Sequence, residues 1–292
     1  MKQKVAAVSL FVDGAARFKD LCYFLIQDKK LAAKEVEHAR FISFDRGLLA
    51  HMGDRNWKGV AACVVKKPTE KFVAVGEDGE VFTYVGGKVT EEKITPKPKV
   101  LRGVGVVDGL AVACGMKRQV YRRDGEATWT AMHAPAPDKG NAGFEAVSGF
   151  SSKELYAVGW NGEIWEWNGK KWVNRASPTN LILTGVCCAG DGKVYVCGQN
   201  GTLLRGRHDT WKVVDLGDFN QDFWAVHEFK KRIYLATMKA LYLLGDDGLE
   251  PVDFGDDAPA TCYRLTDAEG VLWSVGSGDV FSFDGATWKR ED

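Results

Sequence analysis

The chain has 292 residues, with 39 basic and 39 acidic side chains, 45% apolar residues, 33 glycines and only 8 prolines. A formal net charge of zero excludes the bulk attraction on which non-specific nucleic-acid binding relies, and 27% charged residues with ample aromatics excludes a disordered chain. No apolar run approaches the roughly 20 residues that carry a helix across a bilayer, so neither nucleic acid nor membrane is an expected partner.

At the N-terminus, Lys2 and Lys4 precede an apolar run at 5–12, but Asp13 interrupts it and the flanks do not suit signal cleavage. The seven cysteines, at 22, 63, 114, 187, 188, 197 and 262, are scattered in apolar stretches without a Cys-x-x-Cys pair. Both features read as a cytoplasmic protein with buried, reduced thiols.

Residues 1–56 read as a degenerate first copy of a repeat that is clear thereafter. FKDLCYFL (18–25) is its expected first strand and FISFDRGLLAHM (41–52) its later pair. Between them DKKLAAKEVEHAR does not alternate, which predicts a helical insertion. The run at 5–12 is the candidate for a strand that joins the last unit and closes a ring.

Six further copies follow, anchored on Gly76, Gly115, Gly159, Gly198, Thr237 and Gly276, the last four spaced 39 residues apart. In each, a short apolar run reaches a turn, continues as an alternating strand, and turns again, often before a tryptophan. Asp78-Gly79, Asn161-Gly162 and Asn200-Gly201 supply first turns; Gly86-Gly87, Asp124-Gly125, Asn168-Gly169 and Asp284-Gly285 supply second turns. A further strand precedes each unit, at 60–65, 101–107, 144–150, 183–190, 223–229 and 262–267. Four strands in about 40 residues is the unit of a propeller blade. The expected fold is therefore all-β, a single closed β-propeller domain over 1–292 with seven four-stranded blades.

In the third strands, Phe82/Tyr84, Tyr121/Arg123, Trp165/Trp167 and Phe281/Phe283 share one face, while Val81, Val120, Ile164 and Val280 take the other. Both faces are expected to pack against neighbouring blades.

The pattern LYAVG-x-NG-x-I-x-x-W-NG-x-x-W (155–172), with the turns DGEATW (124–129) and DGATW (284–288), resembles bacterial propellers of the Asp-box and photosystem-assembly-factor type. The resemblance covers about residues 60–292 and concerns architecture. Sialidases of the Asp-box group place an arginine in an Arg-Ile-Pro setting, whereas Arg232-Ile233 is followed here by Tyr234. In size, repeat style and cysteine usage the chain is also similar to propeller-type immunity proteins of contact-dependent growth inhibition systems, which implies a protein that caps a toxin.

Catalytic and ligand motifs fail one by one. Gly103-Val-Gly105 lacks the third glycine and the helix of a dinucleotide loop, and no Gly-x-Ser-x-Gly elbow occurs. The histidines at 38, 51, 133, 208 and 227 have no ligand spacing, so neither a metal nor another cofactor is expected. Cys187 and Cys188 should point to opposite faces of a strand. His227 reads as a satisfied polar group near a channel.

Recognition is expected on loops. Turns between second and third strands and the blade-joining loops emerge on one face, which collects Glu77, Asp78, His133, Asp138, Trp160, Asn161, Asn200, Asp218, Phe219, Asp222, Asp256 and Asp257. Lys97, Lys99, Lys117 and Arg118 form an expected basic arc, opposite an acidic one. Trp160, Asp218, Phe219, Asp222, Asp256 and Asp257 are the expected partner-binding residues, aromatic anchors and steering carboxylates for a basic toxin domain such as a nuclease. The main reading is a non-catalytic immunity protein, a monomer that forms a heterodimer with its toxin. The alternatives are an assembly factor of the photosystem-propeller kind, or a glycosidase or lyase using Glu145, His227, Glu228 and Arg264 at the channel.

Overall fold

The computed structural model describes residues 5–138 and 140–292. Lys2 and Lys4, ahead of the apolar run, lie outside them. Seven four-stranded antiparallel sheets follow one another along the chain, each in simple sequential order. Their inner strands are Ser9–Phe18, Gly59–Val65, Leu101–Val107, Phe144–Ser151, Leu183–Cys188, Ala225–Phe229 and Arg264–Ala268. They converge on a central channel of about 680 Å³. This is the seven-bladed β-propeller that the 39-residue period demands.

The alternation of side chains explains the ring. One apolar cluster fills each junction between neighbouring blades. Phe82 of blade 2 packs back on Phe41 of blade 1 and Tyr84 on Tyr23, whereas Val81 of the same strand packs forward into the cluster with Ala111 and Tyr121 of blade 3. Phe41 and Phe82 stack with centroids 3.9 Å apart. A four-stranded sheet cannot bury both its faces alone, so each blade is stable only with its neighbours. Crowding at the hub selects glycine: a Cβ on Gly103 would stand 2.6 Å from the Glu145 carbonyl.

The first blade corrects one expectation. Its inner strand is Ser9–Phe18, and Leu21–Asp28 is its second strand, so FKDLCYFL straddles the turn between them. The later pair is Ala39–Asp45 and Leu48–Arg55, close to the expected 41–52. The insertion forms one helical turn, Lys29–Ala32, whose N-terminus is capped by Asp28 accepting from Lys30 N at 2.8 Å and Leu31 N at 3.1 Å.

Ring closure is also different from expectation. Among the described residues no strand is exchanged between the chain ends: the last sheet has its four strands through Trp288–Arg290 and the first from Ser9–Phe18. Blade 7 is instead tied laterally to blade 1. Phe11 N donates to Ser277 O at 2.9 Å, Ala16 N to Thr266 Oγ1 at 3.2 Å, and Lys19 N to Glu269 Oε2 at 3.2 Å. Trp273 seals this seam against Phe24 and Phe44.

Candidate functional site

Strand direction puts the second-to-third-strand turns and the blade-joining loops at one end of the channel. Two neighbouring loops there repeat a local design: Val214-Asp215-Leu216-Gly217-Asp218 and Val252-Asp253-Phe254-Gly255-Asp256. In each, the first aspartate accepts from the glycine N–H two residues on, Asp215 from Gly217 at 3.0 Å and Asp253 from Gly255 at 2.8 Å. These are Asx turns, and both glycines take the positive φ such a turn favours. Leu216 and Phe254 anchor the loops in the blade junctions below. Asp218 and Asp256 are thereby left exposed at the tips, with Asp215, Asp222, Asp253 and Asp257 exposed on the same loops.

The expected partner residues divide by what holds them. Asp222 accepts from Asn200 N at 2.8 Å and so braces the Asn200-Gly201 turn. A Cβ on Gly201 would collide with the Phe219 carbonyl, which couples that turn to the loop. Phe219 itself is half-buried, stacked on Phe223 at 5.0 Å and edge-on to Tyr242 at 5.1 Å, so it acts first as a scaffold residue. Arg290 Nε donates a bifurcated hydrogen bond to both oxygens of Asp257, at 3.0 and 2.9 Å. Trp160 is half-buried, and its indole N–H donates to Glu145 Oε1 at 2.6 Å. Trp165 and Trp273 are buried between blades.

Much of the opposing basic arc is already paired. Lys97 binds Asp78 at 2.6 Å, and Arg118 grips Glu163 of the next blade through two nitrogens, at 2.7 and 2.5 Å. Lys117 donates to the Gly140 carbonyl. The acidic loops therefore carry the less compensated charge of the face.

The channel is more polar than its strands suggest. Glu145 is engaged by Arg102 at 3.1 Å as well as by Trp160. His227 pairs with Asp267 across the junction of blades 6 and 7 at 2.7 Å, as a satisfied polar group would. Glu228 is directed elsewhere, accepting from Gly190 N at 2.6 Å. Asp13, which looked like an interruption of an apolar run, lines the channel and accepts from Gly14 N and Ala62 N, both at 2.8 Å. Burial raises its carboxyl, against the pull of Arg264 and of those two N–H groups. Arg102, Arg17 and Asp13 went unrecognised in the sequence, where isolated charges inside Gly- and Ala-rich strands carry no motif.

Glu154, Glu166 and His208 also come together, at the junction of blades 4 and 5. Arg207 already holds Glu154 through two hydrogen bonds and Arg175 binds Glu166 at 2.8 Å, so this donor set fits an ion-pair network. Cys187 and Cys188 do point to opposite sides, into the clusters of different junctions.

A closed ring of seven four-stranded antiparallel blades around one channel belongs to the class of seven-bladed β-propellers. Comparison with known proteins narrows the class: the chain belongs to the family of the immune protein Tsi7 of Pseudomonas aeruginosa, with 41% identity over 306 residues covering 100% of both chains. The likeness to bacterial immunity proteins thus holds at that level, and the relationship carries no reference to contact-dependent growth inhibition. No family model matches the chain. Among solved structures it is similar to YCF48 bound to D1 peptide (TM-score 0.72, 14% identity, 96% of this chain and 94% of that one). It is also similar to the WD40 propeller of Doa1 (TM-score 0.73, 11% identity, 94% and 92%). A catalytically inactive virginiamycin B lyase from Staphylococcus aureus with quinupristin has a TM-score of 0.65 at 13% identity, over 80% and 83%. These three likenesses concern the fold alone. No helix is long and apolar enough to cross a membrane among the described residues.

Proposed function

We propose that the chain is a non-catalytic immunity protein of the bacterial cytoplasm that binds a cognate toxin as a one-to-one complex and occludes its active site. The full-length relationship to an immune protein carries this reading. The geometry adds a mechanism. Six exposed carboxylates on the two loops at 214–224 and 252–263 would steer a basic surface, such as the substrate cleft of a nuclease, onto the propeller face. The Asx turns and the Gly201 contact hold those loops in place before binding, so little ordering entropy is lost on association. Trp160, over Glu145 at the channel mouth, and Phe219 frame the docking site.

The test is a growth assay. A candidate toxin gene, sought beside this one in the source genome, is expressed in a bacterial host with and without this chain. Protection, together with a stable complex of the purified proteins, is the expected result. Full toxicity in the presence of soluble propeller would reject the reading, and turnover of a substrate that depends on Glu145 would replace it with the enzyme alternative.

A further inference from the structure

At the end of the channel that opens on the acidic loops, the residues that finish those loops meet. Trp224 closes the first loop and Arg264 follows the second, and both line the channel. Their rings and planes are layered: Trp224 lies 5.2 Å from Tyr263, and the Arg264 guanidinium sits 4.5 Å over the Tyr263 ring. The stack fixes a planar, permanently charged fork at the channel wall. Yet its hydrogen bonds are poorly met. Arg264 Nη1 reaches only the Trp224 carbonyl, at 3.4 Å, and neither Arg264 Nε nor Trp224 Nε1 has an acceptor among the described residues. Other arginines facing the channel are matched: Arg17 binds Glu70 at 2.9 Å and Arg102 binds Glu145. Asp13, the electrostatic neighbour of Arg264, spends both oxygens on backbone N–H groups. Donors shut off from water without acceptors are costly, and their convergence needs an explanation.

We propose that Arg264 and Trp224 form an oxyanion-binding site at this mouth of the channel, filled by a carboxylate that the bound partner projects into it. The partner is that of the function proposed above. A carboxylate matches the guanidinium fork in shape and charge, and the long 3.4 Å contact of Nη1 leaves Arg264 weakly held and able to turn toward such an acceptor. A free anion must pass the carboxylates of Asp218, Asp222 and Asp256 on the loops leading into Trp224 and Arg264. A single carboxylate on an otherwise basic surface is carried past them. The site would then add specificity, since a basic protein lacking that carboxylate leaves the buried donors unmet.

The test has two arms. In the first, acetate and inorganic phosphate are titrated into the propeller alone while the indole N–H resonance of Trp224, assigned with Trp224→Phe, is followed. In the second, affinity for the cognate toxin is measured for wild type, Arg264→Lys and Arg264→Gln, each checked for an unchanged melting temperature. A loss of about tenfold or more in toxin affinity for Arg264→Gln, with partial retention by Arg264→Lys, is expected and assigns the site to the partner's carboxylate. A saturable shift of the Trp224 signal with acetate or phosphate, abolished in Arg264→Gln and without effect on toxin affinity, assigns the same site to a free anion. No anion-dependent shift together with wild-type toxin affinity in Arg264→Gln overturns the site. Failure of the wild-type protein to bind the toxin at all counts against the proposed function, and the first arm then decides the site by itself.

Discussion

Arg123 of blade 3, fully buried, donates to both oxygens of Glu92 in the outer strand of blade 2, from Nε at 2.9 Å and from Nη2 at 2.5 Å. Trp129 Nε1 adds a third hydrogen bond at 3.2 Å. A charged pair in this setting contributes little over a well-packed apolar pair, but each partner depends on the other to stay buried. Glu92→Gln leaves the guanidinium uncompensated and is expected to cost about 3 to 5 kcal/mol in chemical denaturation. Glu92→Leu combined with Arg123→Met should recover most of that loss. Equal destabilisation by the single and double variants would show that the pair is not a closed unit.

The same pair sets an acid limit. Burial alone would raise the Glu92 carboxyl, but the hydrogen bonds from Arg123, from the Ala127 backbone and from Trp129 outweigh it and hold the group below the usual range. A carboxylate with a depressed folded-state value contributes stability above its unfolded value, and that contribution fades as pH falls through the folded one. The gap between wild type and Glu92→Gln should therefore be widest near neutrality and narrow below about pH 4, as read from denaturation midpoints across pH. A gap that stays constant down to pH 2 would exclude Glu92 as the titrating group.

These ties mark the border of what the sequence reveals. Blade number, hairpin turns such as Asn161-Gly162 and the two-sided use of the third strands follow from local periodicity, and the sheets match them. The first blade departs from the pattern because its inner strand carries register shifts between Phe11 and Asp13 and between Ala16 and Phe18, which break the period of two. Charges on the loop face were legible as composition, but their partners were not. Arg290 lies 33 residues from Asp257 and Arg118 lies 45 from Glu163, and only the curvature of the ring brings them together. Trp160 and Phe219 look alike in a string of letters, yet one donates to the channel-lining Glu145 and the other is stacked into a junction.

The lateral closure makes the first strand a structural keystone. Phe11 is buried against Phe24 with ring centroids 5.2 Å apart, and its N–H bonds blade 7. Phe11→Ala is expected to destabilise the protein by about 3 to 5 kcal/mol. Removal of residues 1–12 should lower the melting temperature further, since it also strips the backbone tie to Ser277. An unchanged melting temperature after that truncation would mean that the seam is held elsewhere.

The thiols should be inert in the folded protein. Burial pushes Cys63, Cys187, Cys188 and Cys197 up to about 12 and Cys262 up to about 11. At pH 8 a thiol near 12 has about a thousandfold less thiolate than a free cysteine. Mass spectrometry after brief treatment with iodoacetamide should find these positions unmodified in the native state and all seven cysteines modified in denaturant. Rapid native labelling at Cys187 or Cys188, the two half-buried positions, would point to local opening of the junctions on either side of blade 5.

Charge reversal at the loop tips separates steering from scaffolding. Among the described residues, neither the Asp218 nor the Asp256 side chain makes a hydrogen bond to the body of the propeller, whereas both oxygens of Asp257 accept from Arg290 Nε. Changing Asp218 and Asp256 together to lysine should therefore leave the melting temperature unaltered. If the acidic arc steers a basic partner, association should slow by about tenfold at low ionic strength with little change in dissociation. The difference should shrink as salt shortens the Debye length to about 3 Å at 1 M. Asp257→Lys serves as the contrast, since it breaks a tie to Arg290 and should lower stability as well as slow association. Stopped-flow binding to the cognate toxin decides the matter: an association rate that ignores the Asp218/Asp256 reversal at every salt concentration would remove these carboxylates from the recognition surface.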